Sequence, residues 1–381
     1  MIHATPELPG LYIEVVGKID ALKAQLRYVL GQQPRRWTGL LRRSTFARAI
    51  QASNSIEGYN VTKEDAAAAV QGEEPLGEKD EAWQAVSGYR VAMSYILQLA
   101  DDPHFVHSQW TLRSLHYMMV GHELSKNPGR WRPGAIFVRR LPGNEIVYEG
   151  PDAELVPSLI DALVLSMNSR AEAPSMVHAA MAHLNLVLIH PFSDGNGRMA
   201  RALQTLVLAR EGILDPRFSS IEEYLGHNTQ EYYAVLAEVG QGGWHPENSA
   251  LPWIKFCLTA HYRQAETLLR RRKELERICN TIEAELATRG LKSRMLMALA
   301  DAAVGYRVWN AMYRHTAEVS DEVASKDLQL LVKQELLVPK GERRGRYYVA
   351  GDWLQQVRLE AQEPKVVTDP FTESSRTIRK G

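Results

Sequence analysis

Residues 175–214 read SMVHAAMAHLNLVLIHPFSDGNGRMARALQTLVLAREGIL. An apolar run with helical spacing enters a short polar turn and leaves it as a second apolar-faced helix, for which Gly212 is the expected stop. The turn Ser193-Asp194-Gly195-Asn196-Gly197 lies where the second helix begins, so unpaired N–H groups and the positive end of a helix dipole make an anion site there. Arg198 and Arg201, three apart on that helix, bring two guanidinium forks to the side of the turn, and the expected ligand is a polyphosphate. Asp194 supplies a hard oxygen suited to a magnesium ion shared with phosphate. His190, at the end of the first helix, exchanges a proton near neutral pH. Phe192 alternates away from these groups and reads as a core anchor.

Each part alone has a plain structural reading. A histidine at a helix end is commonly structural, and a D-G-N-G run is a turn. His178, His183 and His190 are spaced by five and seven, which suits no single helical face for a zinc site. The combination at fixed spacing is what points to phosphoryl or nucleotidyl transfer, chemistry that asks for positioning and charge stabilisation.

Outward from this stretch the periodicity is mostly helical. A first layer is expected over about 11–57, interrupted at Gly58, and 71–82 reads as a solvated connection. Helices follow near 83–100, 108–122 and 152–168, then after the motif at TQEYYAVLAEV and in one long run that Gly290 closes. The basic cluster Arg270 to Lys273 on that run reads as a solvated face. One segment departs from the pattern: AIFVRRLPGNEIVYEGP (135–151) places two β-type runs around Pro142-Gly143-Asn144, a hairpin signature. The fold class is therefore mainly α, a helical bundle with a β-hairpin flap. Residues 290–355 have the element order of a small winged helix-turn-helix, with Ser320 capping its third helix. The expected division is 1–110, a helical region; 111–289, the core and following long helix; 290–355, the winged unit; and 356–381, a mostly disordered polar tail.

The chain of 381 residues is 45% apolar and 24% charged, which is globular, and its formal net charge is zero. No global field therefore steers it to nucleic acid or acidic membrane. Two cysteines, Cys257 and Cys279, cannot build a disulfide framework and read as buried thiols in a reducing compartment. No apolar run approaches the roughly 18 residues of a membrane span, and the N-terminus lacks a secretory pattern. The expectation is a soluble, cytoplasmic protein with no membrane partner.

At every specified position HPFSDGNGRMAR resembles the Fic family motif HPFx(D/E)GNGRxxR. The resemblance covers about residues 40–260, with its specific motifs in two short stretches. It implies a Fic-type bundle and a protein adenylyltransferase that moves AMP from ATP to a Ser, Thr or Tyr hydroxyl of a protein, releasing pyrophosphate with Mg²⁺ as cofactor. By that resemblance His190 is the general base and Asp194 the metal ligand. Gly195, Asn196 and Gly197 line the phosphate cradle, Arg198 grips the terminal phosphates and Arg201 is a second phosphate contact. Kinase-like relatives such as the Doc toxin carry lysine where this chain has Gly197, which favours AMP transfer here. The hairpin 135–149 occupies the flap position, where a target segment, or this protein itself in self-modification, would dock by strand addition. HNTQEYYAVL resembles the segment beside the adenosine pocket, which makes Asn228 and Tyr232 nucleotide contacts, with Tyr233 as readily a core residue as a contact.

A second stretch, SNSIEGYN (53–60), resembles the family's inhibitory pattern (S/T)xxxE(G/N), through Ser53, Glu57 and Gly58. The resemblance implies autoinhibition by Glu57 pairing with Arg198. Glu57 positioning a water for removal of AMP is an alternative that the sequence does not separate. In a third reading, the unit at 290–355 binds DNA through Lys326, Lys333, Arg343, Arg344 and Arg346, and the protein is a nucleotide-sensing transcriptional regulator. The family resemblance also allows a homodimer, which no sequence feature requires.

Overall fold

The computed structural model describes the chain except residues 32–35, 73–74, 76–79, 141–142, 170–172, 211–215, 343–344 and 373–381. Gly212, Pro142, Arg343 and Arg344, named above, lie outside the described residues. The first helical layer is two helices, α1 (Gly10–Gly31) and α2 (Arg36–Ile56). Gly58, at φ +86°, stops the chain after α2. Next come α3 (Lys63–Gln71), α4 (Glu81–Asp101) and α5 (Gln109–Val120). Each starts at a residue whose side-chain oxygen accepts an otherwise unpaired N–H, respectively Thr62, Asp80 and Ser108.

The centre of the bundle is α6 (Val156–Asn168), α7 (Ser175–Ile189) and α8 (Asn196–Arg210). Every residue of α7 from Met176 to Ile189 is buried, which explains its apolar run: a helix hydrophobic all round has no solvent face. Its polar residues are tied down. Asn185 donates to the His3 carbonyl at 3.0 Å and accepts from the His3 N–H at 2.8 Å, which fastens the N-terminal segment to the core.

After α8 come α9 (Pro216–Ser219), α10 (Glu222–His227), α11 (Thr229–Gly240) and α12 (Leu251–Thr288), a 38-residue helix. Trp253 of α12 is fully buried and donates its indole N–H to the Ala180 carbonyl at 2.7 Å. The basic cluster on α12 is not a free solvated face. Arg271 makes a bidentate pair with buried Glu223, both bonds 2.6 Å, because α10 packs against α12 there.

The expected hairpin is β1 (Phe137–Arg140) paired antiparallel with β2 (Glu145–Glu149), with an irregular register between Val138 and Arg139. Tyr148 anchors it by donating to the Leu188 carbonyl at 2.6 Å. Arg132, just before β1, donates to the His190 carbonyl at 2.9 Å and so ties the approach to the hairpin to the motif.

Beyond Gly290 lie α13 (Leu296–Ala303), α14 (Asn310–Ala317) and α15 (Asp321–Lys333), then the hairpin β3 (Leu337–Lys340) and β4 (Tyr347–Ala350), and α16 (Asp352–Glu360). Ser320 caps α15 by accepting from the Val323 N–H. This unit does not stand apart. Its apolar residues share one core with Leu268 to Leu286 of α12 and with Trp37, Leu40 and Leu41 of α2. The tail expected to be disordered from 356 is ordered as far as 372: α16 fills its start, and Phe371 is buried against Tyr12 of α1. That buried aromatic outweighs the polar composition around it.

Arg43 of α2 donates to Asp301 of α13 at 2.7 Å, and the Asp301 side chain is almost wholly buried. Removing Arg43 leaves that carboxylate without its partner. We expect Arg43→Ala to lower the unfolding free energy in urea by about 1–3 kcal/mol, and Arg43→Met with Asp301→Leu to recover most of the loss.

Candidate active site

The last residue before the turn, His190, takes the left-handed conformation at φ +51°, ending α7. Its Nδ1 lies 3.0 Å from the Val187 carbonyl. A carbonyl only accepts, so Nδ1 carries the proton and Nε2 keeps a free lone pair. Burial lowers the pKa of His190, and the Val187 carbonyl offsets this only in part. The ring is neutral at pH 7, as a proton acceptor requires.

The turn is held from below. Phe192 is fully buried, and Asn196 clamps it by accepting the Phe192 N–H at 2.9 Å and donating to the Phe192 carbonyl at 2.8 Å. Asn196 thus closes the loop with its side chain, beyond the backbone part it was expected to play in the cradle. His116 of α5 stacks on the Phe192 ring at 3.7 Å. It accepts the Gly129 N–H on Nδ1 at 2.8 Å, so its Nε2–H donates to the Asp194 carbonyl at 2.9 Å. Burial pushes its pKa down to about 4. His116 is a residue that sequence reasoning missed, since its role exists only once α5 lies beside the turn.

The N–H groups opening α8, at Asn196, Gly197 and Arg198, have no intrahelical acceptor. Both arginines are buried behind them. Arg198 Nη2 is 3.5 Å from Asp194 Oδ2, and its guanidinium lies 4.9 Å over the Tyr59 ring. Arg198 Nε and Nη1 and Arg201 Nη1 are buried with no hydrogen-bond acceptor. Three such donors around one turn fit an anion richer in oxygen than any side chain nearby. Asp194 Oδ2 is likewise buried with no hydrogen bond. Burial raises the Asp194 pKa, but Arg198 and Lys126 outweigh it and hold it below the usual carboxylate value. An ionised, unsatisfied oxygen of this kind fits a hard divalent cation.

The expected pairing of Glu57 with Arg198 is corrected. Glu57 Oε1 accepts from Arg201 Nη2 at 2.6 Å, and Arg201 also donates to the Ser53 hydroxyl and carbonyl, both at 2.8 Å. The reason lies at Gly197, where a Cβ would overlap Glu57 Oε1 and stand 3.1 Å from Arg201 Nη1. The absent side chain opens a path from α2 to Arg201, whereas Arg198 is turned toward Asp194. Behind Arg201, buried Glu222 accepts from Tyr89 at 2.9 Å. Burial raises its pKa despite that bond. Neither residue carries a sequence signal, because burial of an acid is visible only after packing.

Of the two adjacent tyrosines it is Tyr232 that lies inside. Tyr232 is 1% exposed and bonded to His183 Nε2 at 3.0 Å, while Tyr233 is 47% exposed and donates to the Ile56 carbonyl. Asn228 donates to the Tyr224 carbonyl and lines a cavity of about 710 Å³ between α10, α12 and residues 363–369, which no motif residue lines. In the C-terminal unit, the exposed residues of α15 are Asp321, Glu322, Lys326, Gln329, Leu330 and Lys333, with Lys326 bound to Glu322 at 2.6 Å. That mixed face differs from the basic stripe that phosphate contacts need.

Residues 107–208 match the family model described as Fic/DOC family, a narrower span than the resemblance in sequence suggested. A protein adenylyltransferase Fic of Nematostella vectensis is 25% identical over 283 residues, 70% of this chain and 58% of that protein. Protein adenylyltransferase fic-1 of Caenorhabditis elegans is 32% identical over 132 residues, 35% of this chain and 24% of that one. The chain thus spans between about a quarter and three-fifths of these relatives' length. Among solved structures, a Fic family protein from Desulfovibrio desulfuricans G20 superposes with a TM-score of 0.60 at 22% identity, covering 92% of this chain and 98% of that one. Fic-1 from C. elegans does so with a TM-score of 0.54 at 20% identity, over 69% and 73%. These likenesses show a shared fold. No helix among the described residues is long and apolar enough to cross a membrane.

The buried neutral histidines give a pH signature. The pKa values of His116 and His183 are lowered by burial to about 4 and about 3, against 6.5 when unfolded. Their contribution is fully present above pH 6.5. It is lost as pH falls toward 4, because only the unfolded chain takes up the protons. We expect urea unfolding free energy to drop between pH 7 and pH 5, by up to about 1.4 kcal/mol per pH unit for each histidine below 6.5. His116→Gln should flatten that slope.

Proposed function

Given that residues 107–208 carry a Fic domain, we propose that the protein is an adenylyltransferase that moves AMP from ATP to a protein hydroxyl and is restrained by Glu57. The observation that carries the reading is the set of three acceptor-free guanidinium N–H groups around the turn, beside a histidine whose Nε2 is free. In this reading the α8 N-terminus and Arg198 and Arg201 bind the polyphosphate. His190 Nε2 takes the proton of the target hydroxyl as its oxygen bonds to the α-phosphorus, and the bond to pyrophosphate breaks. Asp194 would hold Mg²⁺, which when bound neutralises charge on phosphate oxygens. The exposed strand edge of the flap would receive the target segment through main-chain hydrogen bonds.

Glu57 opposes this arrangement by taking the Arg201 fork. Burial acts to lower the Arg201 pKa, yet Glu57 keeps it raised, so the guanidinium stays charged and demands an anion. Glu57 meets that demand until a terminal phosphate replaces it.

Incubation with ATP labelled at the α-phosphate tests both parts. We expect Glu57→Gly to raise self-modification above that of the unmodified sequence. In that background, we expect His190→Ala to lower it by about 10²- to 10⁴-fold. Equal incorporation with and without Glu57 would refute the restraint, and incorporation that survives His190→Ala would refute the assignment of the base.

A further inference from the structure

One cation beside the motif has no part in the reading above. Lys126 ends a single helical turn, Leu124–Lys126, after α5. Its Nζ lies 2.7 Å from Glu123 Oε2, 3.3 Å from Asp194 Oδ2 and 3.4 Å from Glu81 Oε1, and it donates to the Tyr59 hydroxyl at 3.0 Å. Carboxylates from three separate segments and one phenol therefore converge on a side chain only 21% exposed. The Tyr59 ring stands 5.7 Å from this ammonium and 4.9 Å from the Arg198 guanidinium, so it lies against both cations that face Asp194. Asp194 Oδ2 is within ion-pair distance of Lys126 and Arg198 yet outside hydrogen-bond geometry with either. The Gly195 N–H supports the carboxylate, but at Oδ2 the two cations stand at ion-pair distance, an arrangement a better cation can displace.

We propose that Lys126 is the resident counter-cation of Asp194: its ammonium stands where a divalent ion would bind, and Tyr59 holds it there. The inference rests on the reading of Asp194 as the metal ligand. It enlarges the role of the segment 53–59, which ties Arg201 through Ser53 and Glu57 and steadies, through Tyr59, the charge on the metal carboxylate. Lysine suits the task because its compact charge rides on a flexible stem. When a divalent ion arrives, Nζ can turn away from Asp194 while keeping Glu123, three residues back on its own turn, and Glu81. The device links metal entry to the position of Tyr59, and therefore to the segment that carries Glu57.

The test is Mn²⁺ binding to the full chain without nucleotide, followed by the paramagnetic resonance signal of the free ion, with thermal melts to establish that each variant is folded. We expect Lys126→Gln to bind Mn²⁺ about tenfold more tightly or better, the equivalent of one close like charge removed. Lys126→Arg should stay as weak as the unmodified sequence, and Tyr59→Phe should fall between. Adding Asp194→Asn should abolish the gain in every background. If Asp194→Asn abolishes binding while Lys126→Gln leaves it unchanged or weaker, the role of Lys126 is overturned and the metal reading stands. If Mn²⁺ binds equally with Asp194→Asn, the metal reading fails and takes this proposal with it.

Discussion

A fully buried guanidinium is the constraint around which this molecule is arranged. Arg201 sits inside the helix that forms the middle of the bundle, where an uncompensated charge is prohibitively unfavourable. The fold answers with Ser53 and Glu57, delivered by α2 from 148 and 144 residues away in the chain. That α2 returns to this place is itself determined by packing. Its first half is cemented to α12 and the C-terminal helices by Trp37, Leu40 and Leu41. Farther along, Arg48 leans on Glu223 at 3.7 Å, the same carboxylate that Arg271 of α12 grips. The partner of Arg201 is thus held by the whole length of the molecule. Only the outer end of Glu57, 26% exposed, faces solvent, from which a competing anion would come.

The same economy governs the turn. Its backbone donors face outward because its side chains are spent inward: Phe192 into the core, Asn196 back onto Phe192, and the Asp194 carbonyl onto His116. A loop that must present N–H groups to a ligand cannot also be loose, since the geometry of an anion site is what gives it strength. His116 and His190 are both neutral with defined tautomers, one a strut and one free to take a proton. The motif around His190 singles it out in the sequence, whereas nothing in the sequence around His116 does.

Much of this was legible beforehand, for physical reasons that can be named. The α7–turn–α8 unit was readable because a helix buried on every side must be apolar throughout, and because a glycine-rich start to a helix leaves N–H groups open. The hairpin at 137–149 announced itself by β-type runs around a turn. The partner of Glu57 was misassigned because Arg198 and Arg201 differ only in direction, and direction depends on which neighbour, Asp194 or α2, lies beside each. Which of Tyr232 and Tyr233 is buried was hidden for a related reason: adjacent residues on a helix lie on different faces, and only the packing of α11 shows which face is inside. Tyr59, Lys126, Glu222 and His116 could not be found in one dimension, since each matters through contacts between distant segments. The tail was misread because one buried aromatic, Phe371, outweighed a polar neighbourhood.

Gly197 carries a meaning beyond helix geometry. The hydrogen atom in place of a side chain is what admits Glu57 to Arg201, and the lysine of kinase-like relatives would fill that same space. In a chain with that lysine the Glu57 carboxylate would have to move off the route seen here. On the function proposed above, choice of reaction and choice of restraint meet at one position, and a lineage changing the first would also have to reposition Glu57.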